Sequence, residues 1–158
     1  MQVYETNQLV TQSDLNHHNS LLAPVQAGWH MIAGFNCAAM TQSSTLGIVA
    51  RTIDRLSYTY PGRGGQIMLM RSRIVHVTDF TITVHTTMTP FGGGKRVSES
   101  YITYTTIEEG TSTKRLHGVT LDEPADDEER EARVTAALLI AGQPTDDAIA
   151  EKLRGECV

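Results

Sequence analysis

The chain has 158 residues, of which 40% are hydrophobic and 20% charged, and this composition fits one globular domain with its own core. It contains no apolar run of about 18 residues, which argues against a membrane span. It also has no basic stripe with interleaved aromatic residues, which argues against nucleic-acid binding. The first ten residues lack the pattern of a secretory signal, and a cytoplasmic location is therefore expected.

The net charge of -5 is distributed unevenly. Residues 1–121 contain nine Lys or Arg and seven Asp or Glu, whereas residues 122–158 contain four and eleven. We therefore divide the chain into a mildly basic domain (1–121) and an acidic C-terminal helical extension (122–158). The basic balance of the first part suits an anionic small ligand. Cys37 and Cys157 form neither a disulfide framework nor a zinc pattern, and Cys37 is expected to be a buried free thiol.

The first third of the chain predicts a strand, a polar loop and a helix. Residues 2–11 read as the strand and 12–23 as the loop. Pro24 fits the first turn of a helix, and apolar residues then recur at intervals of three and four until about residue 41. This helix contains no Asp, Glu, Lys or Arg. We therefore expect it to be buried nearly all round.

The central part of the chain is rich in β-forming residues. Strands are predicted at 46–60, 66–77, 80–88 and 96–107, with glycine turns at 61–65 (PGRGG) and 90–94 (PFGGG). Two helices follow, from about 126 to 141 and from a Thr145 cap to 153. One buried helix beside about five mostly antiparallel strands predicts an α+β architecture.

A polar cluster precedes the first helix directly and is the most promising place for function. Carboxylate, amide, imidazole and hydroxyl groups lie within seven positions there. Its members are Asp14, Asn16, His17, His18, Asn19 and Ser20. Histidine has the pKa suited to base chemistry near neutrality. The amides and the macrodipole at the start of the helix would favour developing negative charge.

Several strings, taken in order, resemble the hotdog-fold acyl-CoA thioesterases, in particular the acyl-CoA hydrolase branch. NHHNSLLAP at 16–24 resembles that family's NHHGTLFGG-type loop, and Trp29 falls at the Trp of its WMDE string. Residues 50–77 resemble its VDRISF-type strand, turn and following strand. GKRVSESYITYTTIEEG at 94–110 resembles its closing GxRxTxAxFTFVAVDxxG strand. The resemblance covers residues 2–110 and does not extend to 111–158.

The resemblance implies a long helix wrapped by a five-stranded antiparallel sheet, with the C-terminal helices added to it. It also implies a homodimer with active sites at the interface, assembly into trimers of dimers in many members, and an acyl-CoA or related thioester as substrate. The substrate would enter along the start of the helix, and basic residues would meet the CoA phosphates. The substrate-binding candidates are Ala23, Pro24, Trp29, His30, Arg63, Lys95 and Arg96.

The departures from the family pattern fall at its catalytic positions. Ser20 stands where the family has its catalytic carboxylate or amide. Ala23 and Pro24 replace the Gly-Gly pair, and Pro24 has no backbone N–H to donate. Met31 and Ile32 stand where acids often follow the Trp. The catalytic candidates are therefore the six residues of the polar cluster, with a histidine as base, Asn19 or Ser20 holding a water or the carbonyl oxygen, and Asp14 orienting a histidine.

Three functional hypotheses remain open at this stage. The first is a thioesterase-like hydrolase that cleaves an acyl-CoA to acid and CoA. The second is a hotdog hydratase or dehydratase, and the third is a non-catalytic protein that binds acyl-CoA. No cofactor is expected, and the six histidines are not spaced as a metal site.

Overall fold

The computed structural model describes residues 2–155. The elements are β1 (Tyr4–Leu9), α1 (Ala23–Ala39), β2 (Ile48–Tyr58), β3 (Ile67–Val77), β4 (Thr81–Pro90), β5 (Ser98–Thr106), α2 (Asp127–Ala141) and α3 (Asp146–Gly155). Every predicted element is present, and most boundaries lie within two or three residues of the predicted ones. Cys37 is a buried free cysteine, whereas Cys157 lies outside the described residues.

The five strands form one antiparallel sheet in the order β1-β3-β4-β5-β2. The middle strands β4 and β5 are buried along most of their length. In the described chain, β1 and β2 are the edges of the sheet, so each has one side without a neighbouring strand.

The first helix lies across one face of the sheet and contacts all five strands. The alternation predicted for β3 is confirmed, because Met68, Met70 and Ser72 are all buried. In the same interface the Tyr104 hydroxyl donates a hydrogen bond to the Met31 carbonyl oxygen at 2.8 Å.

The expectation that α1 is buried nearly all round is wrong for the single chain. Its sheet-facing residues are buried, but two large apolar residues of the helix, Met31 and Ile32, and the following Met40 are exposed. The absence of charge on this helix therefore reflects two apolar sides, of which the sheet covers one.

The acidic extension places α2 on the other face of the sheet. Ala132 and Ala136 pack there against Val75 and Tyr101. The helix begins after Asp126, whose side chain accepts a hydrogen bond from the Glu129 backbone N–H. Among the helices that the structure describes, none is long and apolar enough to cross a membrane.

Candidate active site at the start of the first helix

A cleft of about 320 Å³ lies where the polar loop meets the start of α1 and the end of β2. The lining residues are Asn16, Ser20, Leu21, Ala23, Gln26, Tyr58, Thr59, Tyr60 and Pro61. Two hydrogen bonds hold these walls together. The Tyr58 hydroxyl donates to the Ala23 carbonyl oxygen at 3.0 Å, and the Leu21 N–H donates to the Gly62 carbonyl oxygen at 2.9 Å.

Asn16 organises the loop through its side-chain carbonyl oxygen. This oxygen accepts hydrogen bonds from the His18 N–H at 2.9 Å and from both the backbone N–H and the hydroxyl of Ser20 at 3.1 Å. All three donors bind one atom of the Asn16 amide, and that atom must be the acceptor Oδ1. The other atom of the amide is therefore Nδ2. Since Asn16 lines the cleft, its NH₂ group is the side chain's remaining donor there.

The start of α1 supplies further donors. Its N-cap is Leu22, and within the described chain no side chain caps its first turn. The first N–H groups of a helix have no partner within the helix, and they carry the positive end of the macrodipole. Pro24 has no N–H, and it lies in the first turn as predicted. The first turn therefore offers the N–H groups of Ala23 and Val25.

Gln26 belongs to the cleft but was not among the residues predicted from the sequence. It is only 5% exposed, and its Nε2 donates to the Leu21 carbonyl oxygen at 3.1 Å. Its Oε1 is buried and has no hydrogen-bond partner in the described part of the chain. The signal that could have pointed to it is a polar residue in the first turn of a mostly apolar helix.

The structure does not bring four of the predicted catalytic residues into the cleft. His17 and His18 are exposed on the loop, with ring centroids 3.8 Å apart. Asn19 takes a left-handed conformation with φ of 56°, as a turn residue. Asp14 accepts hydrogen bonds from the backbone and hydroxyl of Thr11, which lower the pKa of its carboxyl. It therefore caps a turn and does not orient a histidine.

The geometry gives His30 a structural role in place of the predicted substrate contact. It is fully buried between α1 and the sheet. Each ring nitrogen lies 2.8 Å from a serine hydroxyl, Nε2 from Ser98 and Nδ1 from Ser100. Burial, followed by the nearby His85, lowers the pKa of His30 to about 4. A neutral histidine with both nitrogens paired inside the protein is a packing residue.

The remaining substrate-binding candidates lie at different distances from the cleft. The Lys95 amine is 4.5 Å from the ring centroid of Tyr60, a cleft residue. Arg63 pairs with Ser20 through a β-bridge, and its guanidinium lies 3.4 Å from the Asn19 carbonyl oxygen. Trp29 packs, partly buried, against the apolar core under the loop. Lys95 and Arg63 thus flank the cleft on its solvent side.

Arg96 lies on the opposite face of the sheet from the cleft. It forms ion pairs there with Glu99 and Glu128, in a charged layer beneath α2. Two neighbouring side chains lower the pKa of Glu99 to about 2. The larger effect comes from His85, whose Nε2 lies 3.6 Å from Glu99 Oε2, and a smaller one comes from Arg55. The predicted contact of Arg96 with substrate is therefore corrected, since carboxylates engage its guanidinium away from the cleft.

Metal ligands are also not grouped in the part of the chain that the structure describes. Among these residues no cluster of three or more His, Cys, Asp or Glu side chains could hold a metal ion.

Comparison with solved structures shows what kind of protein this architecture is similar to. An acyl-CoA hydrolase from Bacillus cereus superposes with a TM-score of 0.79 at 16% identity, covering 97% of this chain and 93% of that one. An acyl-CoA hydrolase from Staphylococcus aureus, solved with butyryl coenzyme A, coenzyme A and coenzyme A disulfide, gives 0.75 at 16% identity, covering 98% and 88%. A hexameric acyl-CoA thioesterase gives 0.76 at 17% identity, covering 88% of each chain.

The chain has the hotdog fold. The predicted resemblance is thereby confirmed for the architecture, including the long helix against a five-stranded antiparallel sheet. The structural neighbours extend over nearly the whole chain, including the acidic extension that the sequence resemblance did not reach. No protein-family model and no curated protein sequence matches this chain.

Proposed function

We propose that this protein hydrolyses an acyl-CoA thioester to the acid and CoA, in the cleft at the start of α1. The observation that carries the proposal is that one cleft is lined both by Asn16, whose side-chain carbonyl oxygen is held by the loop, and by Ala23 in the first turn of α1. The hotdog fold shared with acyl-CoA hydrolases supports it.

The proposed chemistry begins with the thioester carbonyl. Attack on this carbon places negative charge on its oxygen, and donors aimed at that oxygen lower the barrier. In the proposed complex the Asn16 NH₂ group and the Ala23 N–H donate to it. Because three loop donors already fix the Asn16 carbonyl oxygen, the amide is oriented before substrate binds.

The cleft has no carboxylate among its lining residues. Met31, at the position where the family often has an acid, is partly exposed and does not line the cleft. The proposed rate enhancement therefore comes mainly from polarising the carbonyl and from placing the water.

The CoA moiety is proposed to leave the cleft past Arg63 and Lys95. Both side chains are exposed and lie beside cleft residues. Their charges suit the phosphates of CoA, which a mildly basic domain would also attract. The proposed substrate contains CoA, which is an intracellular compound. A cytoplasmic location therefore remains part of this proposal.

We further propose that two copies share the site. The cleft lies at the end of β2, an edge strand that exposes Val49 and Ile53. Met31 and Ile32 of α1 are also exposed in the single chain. Pairing of β2 with its copy would cover these residues and extend the cleft, and one neighbour of this fold is a hexamer. A trimer of dimers is the corresponding higher assembly.

Release of free CoA thiol from a panel of acyl-CoAs, followed colorimetrically, tests the activity. We expect hydrolysis of at least one chain length above the uncatalysed rate. Thiol release from none of them would overturn the proposal. Incubation with enoyl-CoA and 3-hydroxyacyl-CoA separates hydrolysis from hydration, and tight acyl-CoA binding without turnover would instead identify a binding protein.

The Asn16→Asp variant tests the assigned donor. It keeps the oxygen that holds the loop but removes the NH₂ group, so kcat should fall on the order of 10²-fold. Asn7→Asp makes the same chemical change on the exposed strand β1 and should leave kcat unchanged. An unchanged kcat in a folded Asn16→Asp protein would remove Asn16 from the mechanism.

A further inference from the structure

The Gln26 side chain is fixed at one end and unsatisfied at the other. Its Nε2 donates to the Leu21 carbonyl oxygen at 3.1 Å, while Oε1 is buried with no hydrogen-bond partner in the described chain. A buried acceptor without a partner is unfavourable and is uncommon in native structures. This one belongs to a side chain that lines the proposed active-site cleft.

The identity of the unsatisfied atom follows from the same geometry. Reversing the amide would place Oε1 against the Leu21 carbonyl oxygen, and two acceptors cannot hydrogen-bond to each other. The orientation with Nε2 at Leu21 is thus the favourable one. The atom of this cleft-lining residue that lacks a partner is consequently an acceptor, in contrast to the donors of Asn16 and of the helix start.

We propose that Gln26 Oε1 accepts a hydrogen bond from the hydrolytic water, and this inference rests on the proposed thioesterase function. The donors of the cleft suit the carbonyl oxygen, which has no proton to give. The water is the reactant that carries protons, and an acceptor can hold it with its lone pair turned to the carbonyl carbon. Gln26 thereby supplies positioning in a cleft that lacks a carboxylate.

The reaction balances without proton transfer to Gln26, since an amide oxygen is far too weak a base. Water oxygen forms the new C–O bond, and the C–S bond breaks with its electron pair on sulfur. One water proton reaches the departing thiolate directly or through solvent, and the product acid releases the other. Gln26 is accordingly a positioning residue that contacts the attacking water.

Two substitutions at Gln26 and one control test the proposal. Gln26→Met keeps the length of the side chain and removes the acceptor, whereas Gln26→Glu keeps an acceptor that can also take a proton. The matched control is Gln42→Met, just beyond the other end of α1. There Gln42 donates to Thr41 and accepts from Arg115, so the control also removes two hydrogen bonds.

For Gln26→Met we expect kcat to fall about tenfold or more with little change in KM, because the lost contact is to water and not to substrate. Gln42→Met should keep the wild-type kcat. For Gln26→Glu we expect kcat to rise with pH as the new carboxyl ionises. The pH profile of the wild-type kcat should show no such rise.

The outcomes separate this inference from the function on which it rests. A wild-type protein that releases no thiol from any acyl-CoA overturns both. An active wild type with unchanged kcat in folded Gln26→Met, or a rise in KM alone, overturns only the role of Gln26. If Gln26→Met does not fold by circular dichroism, the pH profile of Gln26→Glu decides, and a profile identical to wild type would refute the inference.

Discussion

At the scale of single residues, His30 makes stability depend on pH. The unfolded chain would bind a proton at His30 near pH 6.5, whereas the folded chain binds it only near pH 4. Between these values the unfolded state holds more protons, so the free energy of unfolding decreases as pH falls from 6.5 towards 4. The full contribution is present above pH 6.5, and its loss amounts to about 3 kcal/mol.

Urea unfolding of wild type and His30→Gln between about pH 5 and pH 7 measures this dependence. Gln can still hydrogen-bond to Ser98 and Ser100 but does not titrate, so its stability should change less with pH. The range lies above the titration of Glu99, whose pKa is about 2. Parallel pH dependences in the two proteins would show that His30 is not the titrating group.

Residue roles could be predicted from the sequence only in part. From the predicted window Asp14 to Ser20, Asn16 and Ser20 line the cleft. Composition could not show that the two histidines are exposed, since the directions of side chains on a loop depend on its backbone conformation. It also could not reveal Gln26, whose relevance depends on one oxygen without a partner.

At the scale of elements, two glycines of α1 make a matched pair. A Cβ at Gly34 would lie 2.5 Å from the Tyr104 hydroxyl oxygen, which is itself bonded to the Met31 carbonyl. A Cβ at Gly28 would meet nothing within 4 Å. Gly34→Ala should therefore destabilise the protein by about 1–3 kcal/mol through overpacking, whereas Gly28→Ala should stabilise it by about 0.5–1 kcal/mol through helix propensity.

Thermal or urea unfolding of both variants measures the pair. If both variants changed the free energy of unfolding equally and in the same direction, α1 would not approach Tyr104 of β5 as closely as the structure shows.

Element boundaries were predictable because local signals agree with the final structure. The alternation in β3 and the two glycine turns mark the strands, and Pro24 marks the first turn of α1. The burial of α1 was not predictable in the same way. The sequence of an uncharged helix does not reveal whether both of its sides are covered or only one. In this structure the sheet covers one side, and Ile32 remains 59% exposed.

At the scale of the whole molecule, one sheet separates two different environments. The α1 face carries the apolar core and the cleft, whereas the α2 face carries an ion-paired layer that includes Arg73 and Arg96. The order of the strands brings the end of β2 to the start of α1, so the cleft opens beside a free sheet edge. The proposed pairing of two copies through β2 would therefore place the cleft at their interface.

The most direct test of this account is a crystal structure of the full chain with a non-hydrolysable acyl-CoA analogue. We expect the oxygen that represents the thioester carbonyl within hydrogen-bond distance of Asn16 Nδ2 and the Ala23 N–H, in a cleft bordered by the β2 edge of a second copy. An analogue bound instead in the groove of about 470 Å³ between β1 and α1, or in the charged layer under α2, would contradict it.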